Sequence, residues 1–318
     1  MKLSFGMQLE PQFGYTKAEI DKIAEKIQET AFDMVWVSDH MFLDPNAVDK
    51  SAFDCFTLMT YLVTKYNNLR VGSMVFCNNY RYPSILAKMI TTLDHLSEGR
   101  IEIGMGAGWK EIEYKAYGLE FPSAKVRIEQ FEEGMQILRA LWSKDKKTSF
   151  SGKYYSLENA LCFPKPFQKP HPRLWIGSMT GGKRMLKSTA KYADGINLAW
   201  AFSPKQCETL FNQLDEYCTD FGRKKGAILR SVGLWARVFA NEQEMETRMK
   251  AEAEKRNMSL EKYQDRVKGA LIGTTEQIVE KLTNYKKVGV SHFIFMFPMK
   301  EESTYLQLFN DDIIPKVK

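Results

Sequence analysis

Three short stretches carry side chains, or lack them, in patterns suited to chemistry. The first is Ser38-Asp39-His40, an imidazole after a carboxylate at the end of an apolar run. An imidazole can give or take a proton near neutrality, or hydrogen-bond a ring ligand. A histidine satisfied within the fold is the alternative reading. The second stretch is Gly104-Met-Gly-Ala-Gly-Trp109, with three glycines in five residues. Alternate glycines remove every second side chain, which suits either a flat ligand or a ligand-free barrel corner. A dinucleotide fingerprint is a poor fit, because the third glycine follows the second by two residues and not three. The third stretch runs Gly177-Ser178-Met179-Thr180-Gly181-Gly182-Lys183-Arg184 into a helix start. Backbone N–H groups and the helix dipole favour an anion there, and Lys183 and Arg184 add charge. Gly177 and Gly182 have P-loop spacing, but Arg184 replaces the hydroxyl that would bind magnesium. A single phosphoryl group suits this loop better than a nucleotide triphosphate; an ordinary capped turn is the alternative.

Positioning these stretches requires a frame in which they share one rim. Apolar runs predict eight strands: Leu3 to Gln8, Phe32 to Ser38, Leu69 to Phe76, Ile101 to Met105, Arg173 to Gly177, Gly195 to Trp200, Leu229 to Phe239 and His292 to Phe297. Helical patterns separate them, starting at Thr16 with Glu19 at the capping-box position, at Phe53, at Pro83, at Ser123, after Arg184, at Ser203-Pro204 and at Gly273-Thr-Thr-Glu276. The stretch from Phe150 to Pro172 is too rich in proline for a helix and predicts a hairpin followed by an extended crossing. Asn241 to Gln264 predicts a charged helix or an excursion, and Tyr305 to Phe309 a closing short helix. Eight alternating units give an α/β fold, a (β/α)8 TIM barrel with a doubly wound sheet as runner-up. The expected organisation is one domain over residues 1–318, with insertion loops at about 41–51, 150–172 and 241–270.

In such a barrel, chemistry belongs at the carboxyl ends of the strands. His40, Ser73-Met74, Ala107-Gly108-Trp109, Gly177-Ser178 and Asn197 to Trp200 all fall there. His95 lies on a helix, His171 in the proline loop, and His292 opens the last strand at the wrong end. Glu111 and Glu113 read as solvent-facing at the start of the next segment. Aromatic residues in the loops, such as Phe42, Tyr154, Tyr155 and Phe163, either pack those loops on the barrel or face an apolar substrate.

Bulk properties exclude several classes. A net charge of +6 spread along 318 residues reads as solvated surface, not as a nucleic-acid footprint. No apolar run approaches the ~18 residues that span a bilayer, so no membrane partner is expected. Five cysteines, with no C-x-x-C pair and no secretory leader at the start, predict reduced thiols in the cytoplasm. The four histidines have no metal-ligand spacing, so no metal is expected.

Together the motifs resemble the bacterial-luciferase-like superfamily of flavin- and F420-dependent oxidoreductases (the luciferase-like monooxygenase family). They are Val37-Ser-Asp-His40, Tyr80-Arg-Tyr-Pro83, Leu93-Asp-His-Leu-Ser-Glu-Gly-Arg100 with Gly104-Met-Gly-Ala-Gly-Trp109, Pro170-His-Pro-Arg-Leu-Trp-Ile-Gly177, Tyr192-Ala-Asp-Gly195 and Gly273-Thr-Thr-Glu-Gln277. Their order covers almost the whole chain and is closer to the F420-dependent branch.

The resemblance implies a TIM barrel binding coenzyme F420, or alternatively FMN, at the carboxyl rim, a small-molecule substrate, and often a homodimer. Asp39 and His40 would border the ring, with His40 as proton donor or acceptor. Ser73-Met74 matches a bulge, often with a non-prolyl cis peptide, that props the ring from behind. Ala107, Gly108 and Trp109 would line the ring and its ribityl chain; Gly177, Ser178, Met179, Gly181 and Gly182 would hold the phosphate. The implied activity is hydride transfer between F420 and a small organic substrate. Alternatives are an FMN-dependent monooxygenase and a non-catalytic flavin-binding protein. Trp109 departs from the family's sugar-phosphate dehydrogenases, which carry a Glu after the glycine run, so the acid–base partner of His40 is missing from that position.

Overall fold

The computed structural model describes residues 3–200 and 202–318. Its strands are β1 (Ser4–Leu9), β2 (Met34–Val37), β3 (Arg70–Cys77), β4 (Ile101–Gly106), β5 (Thr148–Ser151), β6 (Ser156–Ala160), β7 (Leu174–Ser178), β8 (Gly195–Trp200), β9 (Leu229–Phe239), β10 (Leu271–Thr274) and β11 (His292–Met296). β1, β2, β3, β4, β7, β8, β9 and β11 pair in parallel and close into a barrel through the β8–β9 contact. These are the eight strands expected from the apolar runs, and the fold is the (β/α)8 barrel.

The runs are apolar because both faces of each strand are covered, by helices outside and by the barrel's own filling inside. That filling is Met34, Trp36, Met74, Trp175 and Ile294. The two indoles meet edge to face at 5.8 Å. Neighbouring glycines make the space: a Cβ on Gly6 or Gly72 would lie within 2.6 Å of Trp36, and one on Gly195 within 2.3 Å of Trp175. Below them the buried Glu102 accepts from the Trp175 indole N–H, Arg70 and Arg173. The bottom of the barrel is therefore plugged, and a ligand can enter only from the carboxyl rim.

Several local expectations need correction. The helix after β2 begins at Cys55 with Asp54 as its cap, not at Phe53. Glu111–Ala116 is a short helix that its weak periodicity does not announce. The charged excursion is two helices, Glu242–Lys255 and Leu260–Val267, and the C-terminal helix begins at Glu302. β10 was not expected: β9 runs past the barrel, and its last four residues, Ala236 to Phe239, pair with β10. The hairpin β5–β6 and the extended crossing after it match the proline-rich reading. Among the described residues, no helix is long and apolar enough to cross a membrane.

Candidate active site

The carboxyl ends of β1 to β4 and β7 form the site. At its base, β3 bulges against β4: the register shifts between Ser73 and Phe76, and the Met74–Val75 peptide is cis. The expected bulge is therefore present, with its cis bond one residue after Ser73-Met74. Ser73 fixes it to β4, its hydroxyl donating to the Gly104 carbonyl at 2.9 Å and accepting from the Gly104 N–H at 3.0 Å. Gln8, reaching from β1, donates to the Met74 carbonyl at 3.1 Å.

The glycines at this end have a more specific role than empty space. A Cβ on Gly106 would meet the Val75 side chain at 2.7 Å, and one on Gly177 at 2.8 Å. On Gly104 it would strike the Ser73 carbonyl at 2.3 Å. The room they leave is filled by the bulge and by the half-buried Val75. Val75 is a candidate site residue that sequence reasoning misses, because a valine inside a strand carries no distinguishing signal. Gly108, at φ +76°, passes over the Tyr114 hydroxyl, where a Cβ would sit at 2.0 Å.

His40 stands at the end of β2 with its ring edge-on to Trp109, 5.8 Å between centroids. Its Nδ1 lies 3.0 Å from the Glu113 carboxylate. Glu113 is fully buried, so the expectation that it faces solvent is wrong; Glu111 is exposed and pairs with Lys115. The reason is the short helix Glu111–Ala116, which turns Glu113 inward beneath the loop after β2. There it also accepts from the Met41 N–H at 2.8 Å, the Tyr80 hydroxyl at 2.7 Å and the Lys110 ammonium at 3.2 Å. Burial pushes the Glu113 carboxyl up, but His40, Tyr80 and Lys110 outweigh it and hold it down at about 2. An ionised carboxylate only accepts, so Nδ1 carries a hydrogen, and in the neutral imidazole Nε2 is then the lone-pair nitrogen. Among the described residues no protein group bonds Nε2.

Asp39 is turned away from the mouth. Its carboxylate takes both Arg81 nitrogens, at 2.7 and 3.0 Å, and the Cys77 N–H at 3.0 Å. Burial pushes it up and Arg81 opposes that shift. Its contribution is to lock the β2 end to the β3 end.

The loop after β7 keeps its anion-binding features in part. Gly182 caps the helix Lys183–Tyr192 without any side-chain bond to the first N–H groups. The Ser178 hydroxyl accepts the Gly181 N–H at 3.1 Å, and Met179 is exposed. Arg184 does not add free charge: it is bound to Glu132 at 2.6 Å. Ala107 is half-buried beside Gly108. The structure thus brings His40, Trp109, the bulge and the glycines of β4 and β7 to one rim, with Asp39 behind them. The bulge with Val75 and the uncapped helix start fit a flat ring carrying one phosphoryl group.

A profile of the luciferase-like monooxygenase family matches residues 4–292. The F420-dependent glucose-6-phosphate dehydrogenase of Kineococcus radiotolerans is 25% identical over 96% of this chain and 94% of its own length. Its counterpart in Amycolatopsis mediterranei is 25% identical over 96% of both chains. Among solved structures, an F420-dependent secondary alcohol dehydrogenase in complex with an F420-acetone adduct superposes with a TM-score of 0.83 at 22% identity, covering 100% of both chains. The EDTA monooxygenase of Chelativorans sp. BNC1 gives 0.82 at 16% identity, covering 100% of this chain and 93% of that one.

Proposed function

The chain belongs to the luciferase-like monooxygenase family, and we propose that it is a member transferring hydride between coenzyme F420 and a small alcohol or carbonyl compound. The observation that carries this reading is the Glu113–His40 pair, which leaves Nε2 as an acceptor beside a cradle for a flat ring. Oxidising an alcohol removes a hydride from carbon and a proton from oxygen. F420 supplies the hydride acceptor when bound. Nε2 of His40 takes the hydroxyl proton, and Glu113 stabilises the imidazolium that results. In the reverse direction the imidazolium returns the proton to a carbonyl oxygen.

The ring would lie on Val75 and the glycines of β4 and β7, and the phosphate would meet Gly181, Gly182 and the N-terminal N–H groups of the helix Lys183–Tyr192. Trp109 sets an indole beside His40, which favours a less polar alcohol over a sugar phosphate. F420-dependent relatives matched along nearly the whole chain support F420 over FMN. We also infer a homodimer in the cytoplasm, the latter in keeping with five buried, free cysteines.

Titration of the purified protein with F420 and with FMN, followed by fluorescence quenching, tests the cofactor. Binding of F420 without an FMN response is expected; binding of FMN alone would replace this reading with the monooxygenase. Propan-2-ol and glucose 6-phosphate then serve as trial substrates, with loss of oxidised-F420 absorbance as the readout. His40→Ala should keep F420 affinity within about tenfold and lower turnover by roughly 10²–10⁴. Unchanged turnover removes His40 from the mechanism, and no turnover by the wild type on any alcohol leaves a binding protein.

A further inference from the structure

Lys110 and Glu113 do more than border the site; they grip the loop that follows His40. The Glu113 carboxylate accepts the N–H groups of Met41 and Phe42, at 2.8 and 3.3 Å. The Lys110 ammonium donates to the carbonyls of Phe42 and Leu43, at 2.5 and 2.8 Å. An anion thus holds the amides and a cation the carbonyls of the same three residues. The ammonium also lies 5.1 Å from the centre of the Phe42 ring, which stacks on Tyr117 just past the end of the helix Glu111–Ala116. Beyond Leu43 the loop has no strand or helix until Cys55.

The same carboxylate that anchors the loop holds the His40 Nδ1, and the same ammonium lies 3.2 Å from it. We propose that Lys110 is a positioning residue that couples the seating of residues 41–43 to the protonation of His40. With the loop seated, its carbonyls fix the ammonium beside Glu113, and two cations would share one carboxylate if His40 were charged. Seating therefore favours the neutral imidazole, whose Nε2 can accept a proton. With the loop released, Lys110 loses both carbonyls and can leave Glu113, and Glu113 loses two N–H donors. Both changes make the carboxylate a better partner for imidazolium. The other groups around His40 are common to both states: Tyr80 from the turn after β3, the Asp39–Arg81 pair behind it, and Glu10 of the β1 end, reached through Ser38 at 2.9 Å. The coupling lets the base be ready when the loop covers the site and lets product leave with the proton retained.

The proposal rests on His40 as the acid–base group, but its test needs neither substrate nor cofactor. In the full-length protein, the His40 ring signal is followed by NMR from pH 5 to 9, assigned by its loss in His40→Gln, while amide exchange is measured over residues 41–43. Lys110→Met should move the His40 midpoint upward by about half a unit or more, since a unit charge within several ångströms acts with this size at a partly buried site. It should also speed exchange at Met41 and Phe42, whose N–H groups Glu113 holds, by about tenfold or more, while Lys110→Arg restores both. Should Lys110→Met fail to fold, Lys110→Gln gives the same comparison. An unchanged midpoint, or a shifted midpoint with unchanged exchange, overturns the coupling. The F420 titration of the wild type is judged separately, so failure of the cofactor reading leaves this comparison intact.

Discussion

Glu113 receives five donors: the His40 ring, two loop amides, the Tyr80 hydroxyl and the Lys110 ammonium. A carboxylate with that many partners is expensive to neutralise. Glu113→Gln keeps the shape but sets an N–H₂ group among donors and removes the anion beside the His40 Nδ1 hydrogen. Turnover should fall by about 10²-fold, the usual scale for losing control of a general base, with F420 affinity little changed. Steady-state kinetics beside a binding titration checks this; equal losses in both would mean that Glu113 only holds the fold. His40, the proposed acid–base group, is readable from sequence because its residue type and its place at a strand end both point the same way. Glu113 is not. In Trp109-Lys-Glu-Ile-Glu-Tyr-Lys115 the charges look like a solvated face, and the only trace of its role is the i, i+3 spacing of Lys110 and Glu113 on a helix too short to show periodicity.

At the level of elements, the barrel strands were legible because strands covered on both faces are continuous apolar runs bounded by caps and turns. β10 was not, since four residues paired with the overhanging end of β9 have no pattern of their own. The purpose of the glycines was legible only in outline: which neighbour fills the gap depends on the β3 bulge, a long-range register event. One element carries an unspent surface. On the helix Pro83–Leu96, Ile85 and Leu96 are 59% and 55% exposed, and eleven residues, three turns, separate them on one face. The crossing after β6 adds Phe163 and Phe167, exposed, with the Phe163 carbonyl bound by Lys88 of the same helix. We infer that these side chains meet a second copy of the chain. Sedimentation should find the wild type at twice its 36.8 kDa chain mass, and Ile85→Asp should raise the monomer fraction by about tenfold or more. A monomeric wild type would refute the homodimer.

For the whole molecule, the two ends of the barrel respond to acid in different windows. At the rim, Glu113 is held down from 4.5 to about 2, so its contribution to stability is complete above 4.5 and is lost as pH falls toward 2. At the closed end, His292 opens β11 with its ring 5.0 Å from Trp175. Burial, then the nearby Arg173 and Arg70, push it down from 6.5 to about 4. Between those values the unfolded chain binds a proton that the folded barrel refuses, so stability rises with pH across this window and is complete above 6.5. The plug of Trp36, Trp175, Glu102 and its two arginines has no place for a third cation. Acid should therefore loosen the closed end before it reaches the site. Chemical denaturation from pH 7 to 4.5 should show the wild type losing stability on the order of 2 kcal/mol more than His292→Gln. The comparison is one of slopes, so an offset caused by the substitution itself does not disturb it. Parallel slopes for the two proteins would show that His292 titrates alike folded and unfolded, and that the plug tolerates the charge.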